Sequence, residues 1–205
     1  MLDKTGFDLW ADGYDKSVGL SDDNDDYPFA GYRQVLGWIY SRCMGRGSPR
    51  VLDIGFGTGV LTARLYEGGC SVFGQDFSPR MLELARPKMP GAKLYCGDFT
   101  HGLRPELVSQ RYDFIVSTYA LHHLTDSQKP PFLRGLLDLL EPGGEILIGD
   151  VAFRTRAQLE LCREQAGDGW DSEEFYFVYE EMLAHFPALR FEEISYCAGV
   201  LILPK

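Results

Sequence analysis

The chain has 205 residues, of which 45% are hydrophobic and 24% charged, and its formal net charge at pH 7 is −10. These values are typical of one soluble globular domain, and no apolar run approaches the roughly 20 residues that a membrane-spanning helix needs. An acidic surface repels phosphate groups, which argues against DNA or RNA as a partner.

The N-terminal segment does not indicate an exported protein, and the cysteine spacing does not indicate a metal-binding one. The N-terminal residues show no basic segment followed by an apolar core, so no secretory signal is predicted. Five cysteines lie far apart without a CxxC pair, which indicates neither a disulfide framework nor a zinc site. We therefore expect a cytoplasmic protein with no bound metal. The cysteines are Cys43, Cys70, Cys96, Cys162 and Cys197.

Two N-terminal segments are predicted to form helices that cover the rest of the domain. In GFDLWADGYDKSV the residues Phe7, Trp10 and Tyr14 fall on one helical face. The acidic segment SDDNDD (21–26) that follows is predicted to be an exposed loop. The segment FAGYRQVLGWIYSRC repeats the apolar pattern with Phe29, Tyr32, Leu36, Ile39 and Cys43.

Short apolar runs then alternate with segments that carry helix signals. Ser78 before Pro79 is a typical N-cap, the pair Gly68-Gly69 ends a helix, and another helix is predicted to begin near Pro130. This alternation predicts an α/β doubly wound domain with a parallel sheet. The predicted strands are RVLDI (50–54), SVFGQD (71–76), KLYC (93–96), YDFIVS (112–117) and EILIGD (145–150).

The C-terminal quarter is predicted to contain one helix and one hairpin. DSEEFYFVYEEMLAHFPA (171–188) is read as a helix, and residues 189–205 as two antiparallel strands joined near Ala198-Gly199. The predicted organisation is a single domain. It has a helical lid (1–48), a ligand-binding core (49–150), and a C-terminal helix with a β-hairpin (151–205).

The stretch VLDIGFGTGV (51–60) places three glycines directly after the first predicted strand, at the sheet edge where α/β domains bind ligands. Glycine lets a ligand approach the backbone closely, although the glycines alone would also suit a simple tight turn. The pattern Gly55-x-Gly57-x-Gly59 has valine at position 60, where a GxGxxG dinucleotide fingerprint requires glycine, and no GK[ST] phosphate loop follows.

Three acidic residues are predicted to lie along the same edge. Asp53 is a poor neighbour for a pyrophosphate but a good one for an ammonium group. Asp76 suits a ribose diol, or alternatively caps the helix after Ser78. Asp98 suits an adenine amino group, with the N–H of Phe99 donating to the ring, or alternatively closes a turn. The set favours a ligand with a nucleoside at one end and a cationic amino acid at the other.

These residues resemble a known family. VLDIGFGTG, GQDFSPRML, GDF and LEPGGEILIGD look like the motif series of class I S-adenosylmethionine-dependent methyltransferases and occur in the family's order. IVSTYALHHLTD (115–126) and FDLWADGYD are more particularly similar to the small bacterial YrrT-like group. The resemblance covers roughly residues 7–150 well and the C-terminal quarter in outline. It implies methyl transfer from S-adenosylmethionine and a seven-stranded Rossmann-like sheet whose last strand is antiparallel.

The resemblance also implies a cofactor site. The loop Gly55–Gly59 would hold the methionine part, Asp76 the ribose and Asp98 the adenine. Tyr14 would come from a lid that folds over the cofactor, with plain helix packing as the alternative. The predicted cofactor-binding set is Tyr14, Asp53, Gly55, Gly57, Gly59, Asp76, Phe77, Asp98, Phe99 and Ser117.

His122 and His123 are the candidate catalytic residues, because they follow the fourth predicted strand at the edge where an acceptor should lie. Imidazole is a natural general base near neutral pH. Adjacent residues in an extended chain point to opposite sides, so we expect only one of the two to face the pocket. The alternative is a pair of hydrogen-bonded structural histidines.

The acceptor is predicted to be a small molecule. STYALHHL lacks the [DN]PP[YF] signature of DNA-adenine enzymes of this fold, and the aromatic segment 169–182 is predicted to form a wall of the acceptor pocket. Two other functions stay open from the sequence. One is a non-catalytic module that binds S-adenosylmethionine, against which the intact glycine and acidic positions argue. The other is a nicotinamide-dependent oxidoreductase, against which Val60 argues.

Overall fold

The structure is a computed structural model that describes residues 26–205. The predicted helix around Trp10 and Tyr14 lies outside the described residues. The helices are α1 (Tyr32–Met44), α2 (Val60–Glu67), α3 (Pro79–Ala85), α4 (Pro105–Val108), α5 (Lys129–Leu137), α6 (Arg156–Ala166) and α7 (Tyr179–Leu183). The strands are β1 (Arg50–Ile54), β2 (Ser71–Asp76), β3 (Lys93–Cys96), β4 (Tyr112–Thr118), β5 (Leu140–Phe153), β6 (Phe177–Val178), β7 (Arg190–Glu193) and β8 (Ala198–Pro204).

Seven strands form a sheet in the order β3-β2-β1-β4-β5-β8-β7, and the two-residue strand β6 pairs with β5 beside it. Strands β1 to β5 are parallel, while β8 is antiparallel to both β5 and β7. This topology confirms the predicted doubly wound sheet and its antiparallel last strand. The hairpin turn occupies residues 194–197, so Ala198 and Gly199 begin β8 instead of forming the turn.

Successive residues along the strands point into two separate apolar cores, one on each face of the sheet. Val51 and Leu147 pack in the core that also holds α1 and α2, whereas Leu52 and Ile146 pack in the core that holds α5. Because both faces are covered, the central strands read as nearly continuous apolar runs. Helices and sheet therefore stack in three layers.

The helix signals of the sequence are confirmed where they were strongest. Ser78 accepts a hydrogen bond from the Met81 N–H at 3.1 Å and Pro79 is the first residue of α3. Helix α5 begins at Lys129, one residue before Pro130. Of the predicted apolar face of α1, Leu36, Ile39 and Cys43 are buried. Val35 is buried as well, whereas Phe29 precedes the helix and Tyr32, its first residue, is half-buried.

The predicted helix over 171–188 is wrong for most of its length. Phe177 and Val178 are extended and pair with Ala152 and Phe153 of β5, and the helix α7 that follows has only five residues. Aromatic and β-branched residues suit a strand, and pairing with the end of β5 outweighs the local helical spacing. Helix α6 was not predicted. Its signal was the capping box of Thr155 and Gln158.

Within residues 26–205, no helix combines the length and the apolar composition that crossing a membrane requires.

Candidate functional site

A cavity of about 390 Å³ opens where the carboxyl ends of β1, β2 and β4 meet, and its size is in the usual range for small-molecule sites. The loop after β1 supplies Gly55 and Gly57 to its lining, and the last residues of β2 and β4 supply Asp76 and Thr118. The rest of the lining includes Val151 of β5 and residues of the segment 169–176. The cavity thus reaches across the sheet from β2 to β5.

The glycines of the loop have positive φ angles, which favour glycine, and one of them leaves open space beside its backbone. Gly55 has φ of +74°, and a Cβ there would lie 2.4 Å from the Cβ of Ala120. Gly57 has φ of +55°, and no described heavy atom lies within 4 Å of the place where its Cβ would be. Gly59 is instead the N-cap residue of α2, and a Cβ there would lie 2.6 Å from Cε of Met89, away from the cavity. Gly57 therefore presents bare backbone to the cavity.

Asp76 is held in place by the backbone on both sides. The N–H of Gly57 donates to Oδ2 at 2.8 Å and the N–H of Ser78 donates to Oδ1 at 2.9 Å. The side chain is buried within the protein yet lines the cavity. Both readings made from the sequence are thus compatible, since the carboxylate bonds to the start of the α3 segment and also faces a ligand site.

Asp53 lies behind the loop and does not line the cavity. Its side chain is buried, Oδ2 accepts from the Thr62 hydroxyl at 2.6 Å, and Oδ1 finds no hydrogen-bond partner among residues 26–205. Burial raises the pKa of this carboxyl to about 7, the Thr62 hydroxyl lowers it, and the charge of Asp76 adds to the rise. Asp53 therefore packs behind the glycine loop. Its carboxyl does not face the cavity, so it does not make the direct contact with a ligand's ammonium group there that the sequence had suggested.

Of the remaining described residues of the predicted cofactor set, two line the cavity and two do not. Phe77 and Phe99 line the cavity. Asp98 is exposed and accepts from the Thr100 N–H at 2.8 Å, which matches the alternative that it closes a turn. Ser117 is buried and donates to the carbonyl oxygen of Ile54 at 2.7 Å, so its hydroxyl ties β4 to the neighbouring end of β1.

Both candidate catalytic histidines line the cavity, which corrects the expectation that only one would. The argument assumed extended chain, but residues Leu121–His123 form a 3₁₀ turn, and the two rings meet edge to face with their centroids 4.4 Å apart. His122 is buried and its Nδ1 lies 2.6 Å from Oδ1 of Asp150, which is fully buried at the end region of β5.

A polar network continues from His122 along the wall. Its Nε2 lies 3.4 Å from Oε1 of Glu174, and Oε2 of Glu174 accepts from the Tyr176 hydroxyl at 2.8 Å. The hydroxyls of Tyr176 and Tyr27 are themselves hydrogen-bonded. Asp150, His122, Glu174, Tyr176 and Tyr27 therefore form one chain of contacts beside the cavity.

The local charges perturb these groups in different directions. Burial alone would lower the pKa of His122, but the carboxylates of Asp150 and Glu174 outweigh it and the pKa is raised. Burial, and then the neighbouring His122, lower the pKa of His123 to about 4. Burial raises the pKa of Glu174. A positive charge on the wall is thus favoured at His122 and disfavoured at His123.

The segment 169–182 supplies a wall of the cavity as predicted, through Gly169, Asp171, Glu174 and Tyr176. Two residues of the network were missed. Asp150 carried a signal, because it ends a predicted strand as Asp53 and Asp76 do. Tyr27 carried none, since it precedes α1 by several residues and reaches the site only through the tertiary fold.

Comparison with known proteins agrees with this geometry. A family model described as a methyltransferase domain matches residues 51–144. The uncharacterized methyltransferase OB1106 of Oceanobacillus iheyensis is 36% identical over 163 residues, which cover 78% of this chain and 73% of the relative. The uncharacterized methyltransferase YrrT of Bacillus subtilis strain 168 is 35% identical over 185 residues, covering 89% and 82%.

Among solved structures, magnesium protoporphyrin IX methyltransferase (ChlM) from Synechocystis PCC 6803 with bound SAH is similar in fold. Its TM-score is 0.69 at 17% identity, over 86% of this chain and 84% of that one. The matches to OB1106 and YrrT extend over 78% and 89% of this chain. The chain therefore belongs to the class I S-adenosylmethionine-dependent methyltransferases and is similar to the YrrT-like proteins among them.

Proposed function

We propose that this enzyme moves the methyl group of S-adenosylmethionine to a small-molecule acceptor inside the cavity. The observation that carries the proposal is the continuity of that space, which touches both the glycine loop with Asp76 and the wall of His122 with Glu174. Direct transfer requires the sulfonium methyl and the acceptor atom to share one enclosed site. A single cavity with two chemically distinct walls meets this requirement.

The cofactor half of the site is built around Asp76 and Gly57. A carboxylate offers about four lone-pair positions, and the N–H groups of Gly57 and Ser78 each bond to one oxygen of Asp76, which fixes the carboxylate in place for the ribose hydroxyls. The bare backbone of Gly57 allows the methionine part to pass close to the loop. Phe77, Met81 and Phe99 offer apolar surface for the adenine.

The other predicted cofactor residues that the structure describes do not line the cavity, apart from Gly55, Phe77 and Phe99. Asp53, Gly59 and Ser117 fix the shape of the loop and of the β1 and β4 ends. Asp98 remains the predicted partner of the adenine amino group, with the Phe99 N–H beside it. Tyr14, which is outside the described residues, remains the predicted contact from the lid.

The acceptor half is mainly aromatic. Tyr27, Phe29, Tyr119 and Tyr176 line it, and Phe29 and Tyr119 have ring centroids 5.3 Å apart. A cavity of this size with aromatic walls suits a small organic molecule better than a polymer. The similar fold of ChlM, whose named substrate is a porphyrin, is consistent with a small-molecule acceptor.

Methyl transfer asks the protein mainly for geometry. The sulfonium already activates its methyl carbon, the acceptor lone pair attacks in line, and the carbon–sulfur bond breaks to leave S-adenosylhomocysteine. Holding both reactants in one dry site contributes up to about 7–11 kcal/mol to lowering the barrier. His122 and His123 lie on the acceptor wall, where we propose that they position the acceptor's reacting group.

The test of the cofactor site is calorimetric titration with S-adenosylmethionine and S-adenosylhomocysteine. We expect micromolar binding by the wild type, loss of binding in Asp76→Ala, and unchanged binding in Glu83→Gln, an exposed carboxylate on α3. Equal affinity of Asp76→Ala and wild type would contradict the assignment of the ribose site. Circular dichroism checks that each variant is folded.

Two glycine variants provide a matched pair for the loop. Gly57→Ala and Gly47→Ala both place a methyl group in open space at positive φ, but Gly47 lies outside the cavity. We expect similar loss of stability and at least about tenfold weaker cofactor binding in Gly57→Ala alone, a difference of about 1.4 kcal/mol. If both variants bind equally well, the cofactor does not lie against Gly57.

Turnover separates an enzyme from a binding module. Incubation with S-adenosylmethionine and pooled metabolites should yield S-adenosylhomocysteine in amounts that exceed the protein. Stoichiometric binding with no turnover on any pool would instead support the regulatory module.

A further inference from the structure

Three side chains on the acceptor wall bring metal-ligand atoms together. The donor atoms of His122, His123 and Glu174 all lie within 4.8 Å of one another, and all three residues line the cavity. Two ligands of one tetrahedral zinc ion lie about 3.4 Å apart when each is about 2.1 Å from the metal. Nε2 of His122 and Oε1 of Glu174 are already 3.4 Å apart.

The atoms of these ligands that face away from the cluster are held by other groups. Oδ1 of Asp150 lies 2.6 Å from Nδ1 of His122, which holds a proton on Nδ1 and makes Nε2 the nitrogen that binds a metal ion once its own proton is released. The Tyr176 hydroxyl donates to Oε2 of Glu174, which leaves Oε1 directed to the same point. A carboxylate behind a metal-binding histidine is the usual supporting arrangement in protein metal sites.

The carboxylates of the wall favour a cation, which is either a proton on His122 or a metal ion in its place. Asp150 is fully buried and its Oδ2 finds no hydrogen-bond partner among residues 26–205, while Glu174 adds a second carboxylate. No Lys or Arg occurs in the described lining of the cavity. The buried ammonium of Lys129 bonds to Asp126 and to the carbonyl oxygen of Phe175 instead.

We propose that His122, His123 and Glu174 bind one divalent transition-metal ion, with Asp150 as the positioning residue behind His122. Two imidazoles and one carboxylate are a donor set of catalytic zinc sites that keep a fourth position open. Here that position faces the cavity. Glu174 is far in sequence from the two adjacent histidines, so the three residues match no contiguous metal motif, and the cysteine pattern gave no hint because no cysteine is among the ligands.

The ion gives the proposed methyl transfer a defined class of acceptor, one whose reacting group is a hydroxyl. The hydroxyl oxygen binds the ion, which lowers its pKa so that its proton leaves to water. The resulting oxygen lone pair attacks the methyl carbon of S-adenosylmethionine, the carbon–sulfur bond breaks, and a methyl ether and S-adenosylhomocysteine form. This use of the ion rests on the proposed function, whereas ion binding itself does not.

The test is calorimetric titration of the EDTA-treated full chain with ZnCl₂, without cofactor or acceptor. We expect one site per chain, with binding weakened about 10- to 100-fold in Asp150→Asn and at least as much in Glu174→Gln. Asp168→Asn is the matched control, because this exposed carboxylate lies just before the same segment and neither lines the cavity nor belongs to the ligand set. Its affinity should equal that of the wild type.

Titration of the wild type with CoCl₂ excludes the five thiols as ligands. Nitrogen and oxygen ligation gives visible d–d bands without the near-ultraviolet thiolate-to-cobalt band, and this is the expected spectrum. A thiolate band, equal affinity of Glu174→Gln and wild type, or no binding of either ion would overturn the site. If Zn²⁺ does not bind but S-adenosylmethionine binds and turns over, the metal site fails alone and the methyltransferase function stands.

Discussion

At the scale of single residues, the strand ends carry carboxyl groups with different tasks. Asp76 faces the cavity, Asp53 supports the loop from beneath, and Asp150 holds His122. The sequence indicated both Asp76 and Asp53, because Asp53 lies directly before the glycine loop and Asp76 ends the second predicted strand. It could not separate a carboxyl that faces ligand from one buried behind the loop, because that difference depends on how Thr62 of α2 packs against β1.

The buried Asp53 predicts a specific pH dependence of stability. Its folded pKa of about 7 lies above the unfolded value near 4, so the folded state binds more protons between these values. Stability from this group is therefore present below about pH 4 and is lost as the pH rises through 7. Asp53→Asn, which stays neutral, should lack this loss.

The measurement is the free energy of unfolding of both proteins in urea at pH 5 and pH 8. Between pH 5 and pH 8, Asp53→Asn should gain stability relative to the wild type by at most about 3 kcal/mol, since the folded pKa of about 7 lies about two units above pH 5 and one pKa unit is worth about 1.4 kcal/mol. The exposed-site variant Glu83→Gln should follow the wild type. Parallel pH curves for Asp53→Asn and wild type would show that Asp53 stays ionised in the fold.

At the scale of elements, periodicity and end signals predicted the central strands and the helices between them. They failed for 171–188, where Phe177 and Val178 pair with β5 although their neighbours have helical spacing. They also failed to show that a 3₁₀ turn directs both His122 and His123 to one cavity. Glu174 could be assigned to the wall only as part of an aromatic segment, because its approach to His122 is a product of tertiary folding.

Helix α6 depends on its N-terminal capping box, which gives a prediction at this scale. Thr155 accepts from the Gln158 N–H, and Gln158 accepts from the Thr155 N–H at 3.1 Å. Thr155→Ala should lower the free energy of unfolding by about 1 kcal/mol. For a chain of this length that is a fall of about 2–4 °C in thermal midpoint.

Thr155→Ser is the matched control because it keeps the hydroxyl, and it should unfold close to the wild-type midpoint. If Ala and Ser behave alike, the hydrogen bond of the cap contributes nothing measurable.

At the scale of the whole molecule, one carboxylate connects three distant parts of the chain. Glu145 of β5 accepts from Nε and Nη2 of Arg42 on α1 at 2.7 and 2.8 Å, and from Nη2 of Arg190 on β7 at 2.8 Å. Hydrogen bonds from Arg42 and the charges of both guanidinium groups hold the pKa of Glu145 below its ordinary value. Sequence patterns reveal no such contact, since Arg42 and Arg190 lie 103 and 45 residues from Glu145 in the sequence.

Glu145→Gln keeps the shape of the side chain and removes its charge. We expect the free energy of unfolding to fall by about 1–3 kcal/mol, the usual value for hydrogen bonds to a charged group. Urea unfolding at neutral pH measures it. Glu83→Gln, which loses only an exposed ion pair with Arg80, should change by less than about 0.5 kcal/mol. Equal losses in the two variants would contradict a joining role for Glu145.

The order of the sheet has a consequence for how the chain assembles. Strand β8 is the last described strand in sequence, yet it lies between β5 and β7. During synthesis on the ribosome, the backbone groups of β5 and β7 that pair with β8 stay unpaired until residues 198–204 emerge. Unpaired edges invite association with other chains, so a nascent protein stalled just before β8 should be the form that chaperones bind most.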